Sequence, residues 1–204
     1  MEFSTKSVKA KFNEFTNSVE QKVRDEIDDE RNPQAAVRRV ILAYSGAAAA
    51  VNLSPIPFTE VTLLTPLHAA MVLHIGKRLG QKISIENAGQ VFKEIVGAVG
   101  LSVAARLTTT VLLKVGLPMV GGYLRAPAIF AMTYGIGRVA EDYFLRRAQG
   151  LDFDAKAARE LFKKAVKEGR VEGAYARAQA KKEKAAAKKP RAKKPAKKKP
   201  RKKP

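Results

Sequence analysis

Along the first 32 residues, apolar side chains recur at Val8, Phe12, Phe15, Val19, Val23 and Ile27, with Lys, Glu, Asn and Ser between them. Steps of three and four put all six on one stripe of an amphipathic helix of roughly six turns. Asn32-Pro33 ends it, because the residue before a proline is pushed out of helical geometry. The stripe either packs on the rest of the chain or, through Phe12 and Phe15, docks on a membrane or a protein partner.

A second helix is predicted over about 34–53, with Pro33 suited to its first turn and the run Gly46-Ala47-Ala48-Ala49-Ala50 offering a surface that another helix can approach closely. Pro55 and Pro57, one residue apart, then fix an extended elbow. Thr59 caps a third helix over 60–79, which Gly80 closes. Ser84 opens a fourth, whose Val91, Ile95, Val96, Val99 and Val103 keep helical spacing.

From residue 97 glycine recurs at 97, 100, 116, 121, 122, 135 and 137. Inside a helix each costs about 0.5–1 kcal/mol relative to alanine, so close helix packing is expected to offset it. Gly116-Leu117-Pro118 reads as a break, followed by two helical pieces, 119–124 and 127–147, joined near Arg125-Ala126-Pro127. Gly150 ends the second piece, and Asp152 caps an Ala-rich helix carrying Leu161, Phe162, Ala165 and Val166 that weakens around Gly169 and Gly173. No alternation of period two persists, so the expected fold is an all-α, compact multi-helix bundle. Its predicted parts are an N-terminal helix at 1–32, a helical domain at 33–149, an Ala-rich helix at 150–180 and a tail at 181–204.

Charge sharpens that division. The net charge is +20, but 14 basic residues against the single acid Glu183 fall in 181–204, leaving +7 for residues 1–180. The tail repeats Lys-Lys-Pro at steps of about five; proline forbids a continuous helix there and charge opposes collapse, so it reads as an extended, disordered cation. Its candidate polyanion-binding residues are Lys188, Lys189, Arg191, Lys193, Lys194, Lys197, Lys198, Lys199, Arg201, Lys202 and Lys203. No aromatic follows Ala176, which argues against base stacking and for contact with phosphates without sequence preference. Eight phosphate contacts on duplex DNA would give a slope of log K against log salt near about −7, and on an anionic leaflet each charge contributes roughly 1 kcal/mol.

The chain has no cysteine, which removes disulfides, thiolate metal sites and thiol nucleophiles. Its first residues lack the basic stretch and apolar run of a secretory signal, so a cytoplasmic setting is expected. The longest uncharged stretch, 40–59, holds Asn52, Ser54, Pro55 and Pro57, and so breaks before reaching the about 20 apolar residues a spanning helix needs. Later apolar runs are interrupted by Arg106, Lys114 and Arg125. These cations either snorkel from helix ends or contact anionic headgroups beside a hairpin that dips into the bilayer.

The segments Ser54-Pro55-Ile56-Pro57-Phe58, Leu64-Thr65-Pro66-Leu67 with Met71, Ile75 and Gly80, and Thr133-Tyr134-Gly135-Ile136-Gly137 with Tyr143-Phe144 carry a resemblance over 36–144. There the chain resembles a helical bacterial domain family found fused to, or beside, small GTP-binding domains. Glu60 stands where that family usually has aspartate, and His68 where it often has glutamine. The resemblance implies a partner-binding, membrane-proximal role, with a separate GTPase as one partner.

Catalytic groupings are sparse. No G-x-x-x-x-G-K-[ST] loop is present, so the chain is not expected to bind GTP itself. His68 and His74 are six apart and, at 100° per residue, point about 120° from one another, which does not suit one metal ion. Glu60 lies about 12 Å along the helix from His68, too far to share a proton. No nucleophile elbow, zinc helix or dinucleotide turn occurs, and Thr108-Thr109-Thr110 most simply bonds to its own helix or a neighbour. The expected class is therefore non-enzymatic, with no cofactor and no metal. The leading reading is a membrane-proximal adaptor at the inner membrane face, bound to anionic surface through its tail, with homo-oligomers also compatible. The alternative is a nucleoid-type nucleic-acid-binding protein acting through the Lys-Lys-Pro repeats.

Overall fold

A computed structural model describes residues 32–51, 59–100 and 121–187, together with residues 17, 18 and 21; side chains at 59–63, 121–125 and 183–187 fall outside the description. Within it are five helices: α1 (Pro33–Val51), α2 (Thr59–Arg78), α3 (Ile85–Val99), α4 (Gly121–Ala148) and α5 (Ala155–Ala187). No strand occurs among the described residues, so the all-α bundle is observed. Asn17, Ser18 and Gln21, which lie between the stripe positions of the N-terminal segment, are helical and exposed. The elbow residues 54–58 lie outside the described residues, as do the stripe positions Val8 to Ile27.

Several helix ends have a local cause. The Asn32 carboxamide oxygen accepts from the backbone N–H groups of Gln34 (3.0 Å) and Ala35 (3.4 Å), so Asn32 caps α1 with Pro33 at its first position. Gly80 and Gly150 adopt φ of 75° and 71°. In both places the following N–H reaches back five residues, Gln81 to the Gly76 carbonyl at 2.9 Å and Leu151 to the Arg146 carbonyl at 3.0 Å. These are paired left-handed helix stops that a side chain would strain. The Ser84 hydroxyl accepts from Asn87 N–H at 3.3 Å and starts α3.

Three expectations are corrected. The pieces 119–124 and 127–147 are one helix from residue 121 on, with Pro127 inside it. A proline there removes one backbone bond, at a cost of about 3 kcal/mol, which the packing of a 28-residue helix on all four others offsets. Asp154 caps α5 in place of Asp152: its carboxylate accepts from Lys156 N–H at 2.8 Å and Ala157 N–H at 3.0 Å. The displacement follows from Phe153, whose ring packs on Tyr143 with centroids 5.2 Å apart, so the chain must deliver that ring before it can turn into the helix. Finally, α5 does not weaken at Gly169 and Gly173 and runs past residue 180 to Ala187.

The same two glycines explain why. α4 is central and touches α1, α2, α3 and α5. A Cβ on Gly135 would lie 2.8 Å from the Phe162 ring, one on Gly137 2.8 Å from Ile41, and one on Gly173 3.0 Å from the Phe130 ring. Rings of α4 and α5 therefore seat over glycines of the partner helix. Burying one such aromatic contributes roughly 1.5–3 kcal/mol, more than the glycine costs. The expectation of close packing holds at 135 and 137 but not at Gly97, whose Cβ position faces open space. The remaining core is drawn from Val37, Val40, Ile41 and Tyr44 of α1, Leu67, Met71 and Ile75 of α2, and Ile95 of α3.

Candidate functional site

The buried residues of α5 are Ala158, Phe162, Ala165, Val166, Gly169 and Gly173. At 100° per residue they share one face. On the opposite face Lys164, Lys167, Val171, Tyr175, Ala178 and Lys182 follow one another at steps of three and four, and all are exposed. Arg170, Arg177 and Lys181 border this stripe on one side. Val171 and Tyr175 keep 71% and 64% of their surface in solvent.

No residue from 174 to 182 is buried, so α5 leaves the bundle after Gly173 and continues to Ala187 as an arm. Fourteen further residues carry it about 21 Å at the helical rise. Two ties hold the packed part of α5 on the bundle, one near each end. Arg38 of α1 pairs with Glu172 at 2.5 Å, and the Arg159 Nε donates to the Ala98 carbonyl at the end of α3 at 2.6 Å. On the arm the Gln179 side-chain N–H donates to the Tyr175 hydroxyl at 2.8 Å.

His68 is buried in the core, and His74 is half-buried beside it. His68 Nε2 lies 3.0 Å from the Thr133 hydroxyl, and its ring stacks on Phe92 at 5.2 Å. Burial pushes it down to about 4, so it is neutral at pH 7. His74 Nδ1 instead meets the Tyr44 hydroxyl at 3.0 Å. The two rings thus bond in different directions, and among the described residues no cluster of three His, Cys, Asp or Glu could hold a metal.

A cleft of about 450 Å³ lies between the α2–α3 turn and α4, with Lys82, Asn87, Gln90, Glu94, Tyr143 and Arg147 among its lining. Three of its polar groups bond in series: the Tyr143 hydroxyl donates to Glu94 at 3.3 Å and Arg147 donates to that hydroxyl at 3.4 Å. The arrangement braces α3 against α4.

Of the residues singled out in the sequence, Phe12, Phe15, Arg106, Lys114 and the tail positions from Lys188 to Lys203 lie outside the described residues. Arg125 falls in the first turns of α4 with its side chain outside the description. Glu60 is likewise placed only by its backbone, on α2. The outer stripe of α5 was not singled out, although its spacing was readable once the helix is taken as unbroken through Gly169 and Gly173.

Among the described residues no helix is long and apolar enough to cross a membrane. Comparison of the chain with protein-family models, curated proteins and solved structures found no match in any of the three.

Proposed function

We propose that this chain is a non-enzymatic helical adaptor at an anionic membrane surface on the cytoplasmic side, tethered by its basic C-terminal segment, with a separate GTPase as its protein partner. One observation carries the reading: α5 leaves the bundle after Gly173 as an exposed basic helix and leads directly into Lys188 and the Lys-Lys-Pro repeats. A cationic segment near an anionic leaflet gains roughly 1 kcal/mol per Lys or Arg, and the bundle is left free to present its other faces. The GTPase partner rests on the resemblance over 36–144 alone.

Flotation of the full-length chain with liposomes tests this. It should float with vesicles containing anionic lipid and stay behind with neutral ones, and deletion of 188–204 should weaken the flotation. A chain that remains wholly soluble with both overturns the reading. A gel shift of duplex DNA that vanishes with the same deletion, without flotation, replaces it by the nucleic-acid alternative.

A further inference from the structure

We infer that the outer face of α5 lies on the membrane as an interfacial helix, with Val171 and Tyr175 seated among the headgroups and Lys164, Lys167 and Lys182 on anionic phosphates. This rests on the membrane reading above and goes further, since it fixes which side of the bundle meets lipid.

Chemistry identifies the occupant. Val171 and Tyr175 are one helical turn apart on the same face, adjoined by Ala174 and Ala178, and all four are exposed. Among the described residues the other large exposed apolar side chains, Ile85 at the start of α3 and Leu151 in the α4–α5 loop, stand singly. Lysines bracket the apolar pair on both sides along the stripe, so charge complementarity favours an anionic partner. A nucleic-acid backbone would match the lysines but leave Val171 without a contact. A leaflet matches both: lysine stems lie along the apolar boundary with their ammonium groups at the phosphates, and apolar side chains enter between headgroups. Tyr175 suits that depth, its ring apolar and its hydroxyl already accepting from Gln179 at 2.8 Å. Of the acids on this segment, Glu172 is paired with Arg38 and Glu160 with Lys163, while the half-buried Glu168 borders the stripe beside Tyr175 and is outnumbered by the lysines. With the buried face of α5 diametrically opposite, the bundle would stand on the leaflet through α5, the tail running alongside.

The chain contains no tryptophan, so Tyr175→Trp in the full-length protein introduces a single indole at the centre of the face. With phosphatidylglycerol vesicles its emission should shift to the blue and be quenched by brominated acyl chains, and with phosphatidylcholine vesicles it should stay where it is in buffer. Val171→Gln with Tyr175→Gln, both solvent-exposed positions, should leave helicity unchanged and weaken anionic-vesicle binding about tenfold. If the chain sediments with anionic vesicles while the indole emission is unmoved, this inference fails and the tail tether survives. Absence of sedimentation overturns both. An indole that responds to duplex DNA and not to vesicles assigns the face to nucleic acid and overturns the proposal.

Discussion

Gly169 of α5 sits directly over Ala131 of α4: a Cβ on Gly169 would lie 3.0 Å from the Ala131 Cα and 2.9 Å from the Tyr134 Cβ. Backbone cannot rotate away as the end of a long side chain can. The contact therefore sets the α4–α5 separation for the segment from which the arm departs.

Replacing Gly169 by alanine should accordingly destabilise the bundle by about 1–3 kcal/mol, the usual cost of overpacking, despite alanine's better helix propensity. Gly97→Ala, with nothing within 4 Å of its Cβ position, should do the opposite and raise stability by roughly 0.5–1 kcal/mol. Urea denaturation of the two variants beside the parent checks both signs, and equal effects would contradict the packing account.

His68 gives a pH dependence. Its folded-state value is lowered to about 4 from 6.5 by burial, so as pH falls below 6.5 the unfolded chain takes up a proton that the folded chain refuses. Stability contributed by the neutral ring is complete above pH 6.5 and is lost progressively down to about pH 4, by about 3 kcal/mol over the whole window. His68→Gln keeps a group able to bond Thr133 and removes the titration. The gap in stability between pH 7.5 and 4.5 should be smaller in this variant than in the parent; an equal gap would mean that the folded chain takes up the His68 proton as readily as the unfolded one.

At the start of α5 the two aspartates should separate cleanly. Asp154 bonds two backbone N–H groups, which hold its carboxyl below the usual carboxylate range, whereas Asp152 is exposed with no part in the cap. Asp154→Ala should lower the melting temperature and Asp152→Ala should leave it nearly unchanged. The loss caused by Asp154→Ala should itself fade in strong acid, because the parent's carboxylate is present in full above its unfolded value and disappears as pH falls through the lower folded one.

Much of the bundle was legible because helix ends are written locally: Asn32-Pro33, Gly80, Ser84 and Gly150 each carry their own capping chemistry. What was misread had its cause elsewhere in the chain. Pro127, Gly169 and Gly173 look like breaks when only local propensity is weighed, and the rings and backbone that hold them in helix lie on other elements. Asp152 and Asp154 are equivalent as caps until Phe153 is seen to require the core. The arm was missed for the same reason, since a helix thought to fade at Gly169 presents no continuous outer stripe. The cations Arg106 and Lys114 and the aromatics Phe12 and Phe15 lie outside the described residues.

Salt should divide the two contributions to membrane binding. The charges of the tail and of the Lys164–Lys182 stripe act through water, where the screening length falls from about 10 Å at 0.1 M salt to about 3 Å at 1 M, so their share should shrink steadily across that range. Burial of Val171 and the Tyr175 ring does not depend on screening. Binding of the full-length chain to phosphatidylglycerol vesicles should therefore fall with added NaCl and level off at a weak residual affinity. Deleting 188–204 should lower the low-salt end of that curve and leave the residual in place, while Val171→Gln with Tyr175→Gln should remove the residual and keep the steep low-salt portion. Curves of identical shape for the two variants would mean that charge alone holds the chain at the surface and that the apolar pair of α5 never reaches the lipid.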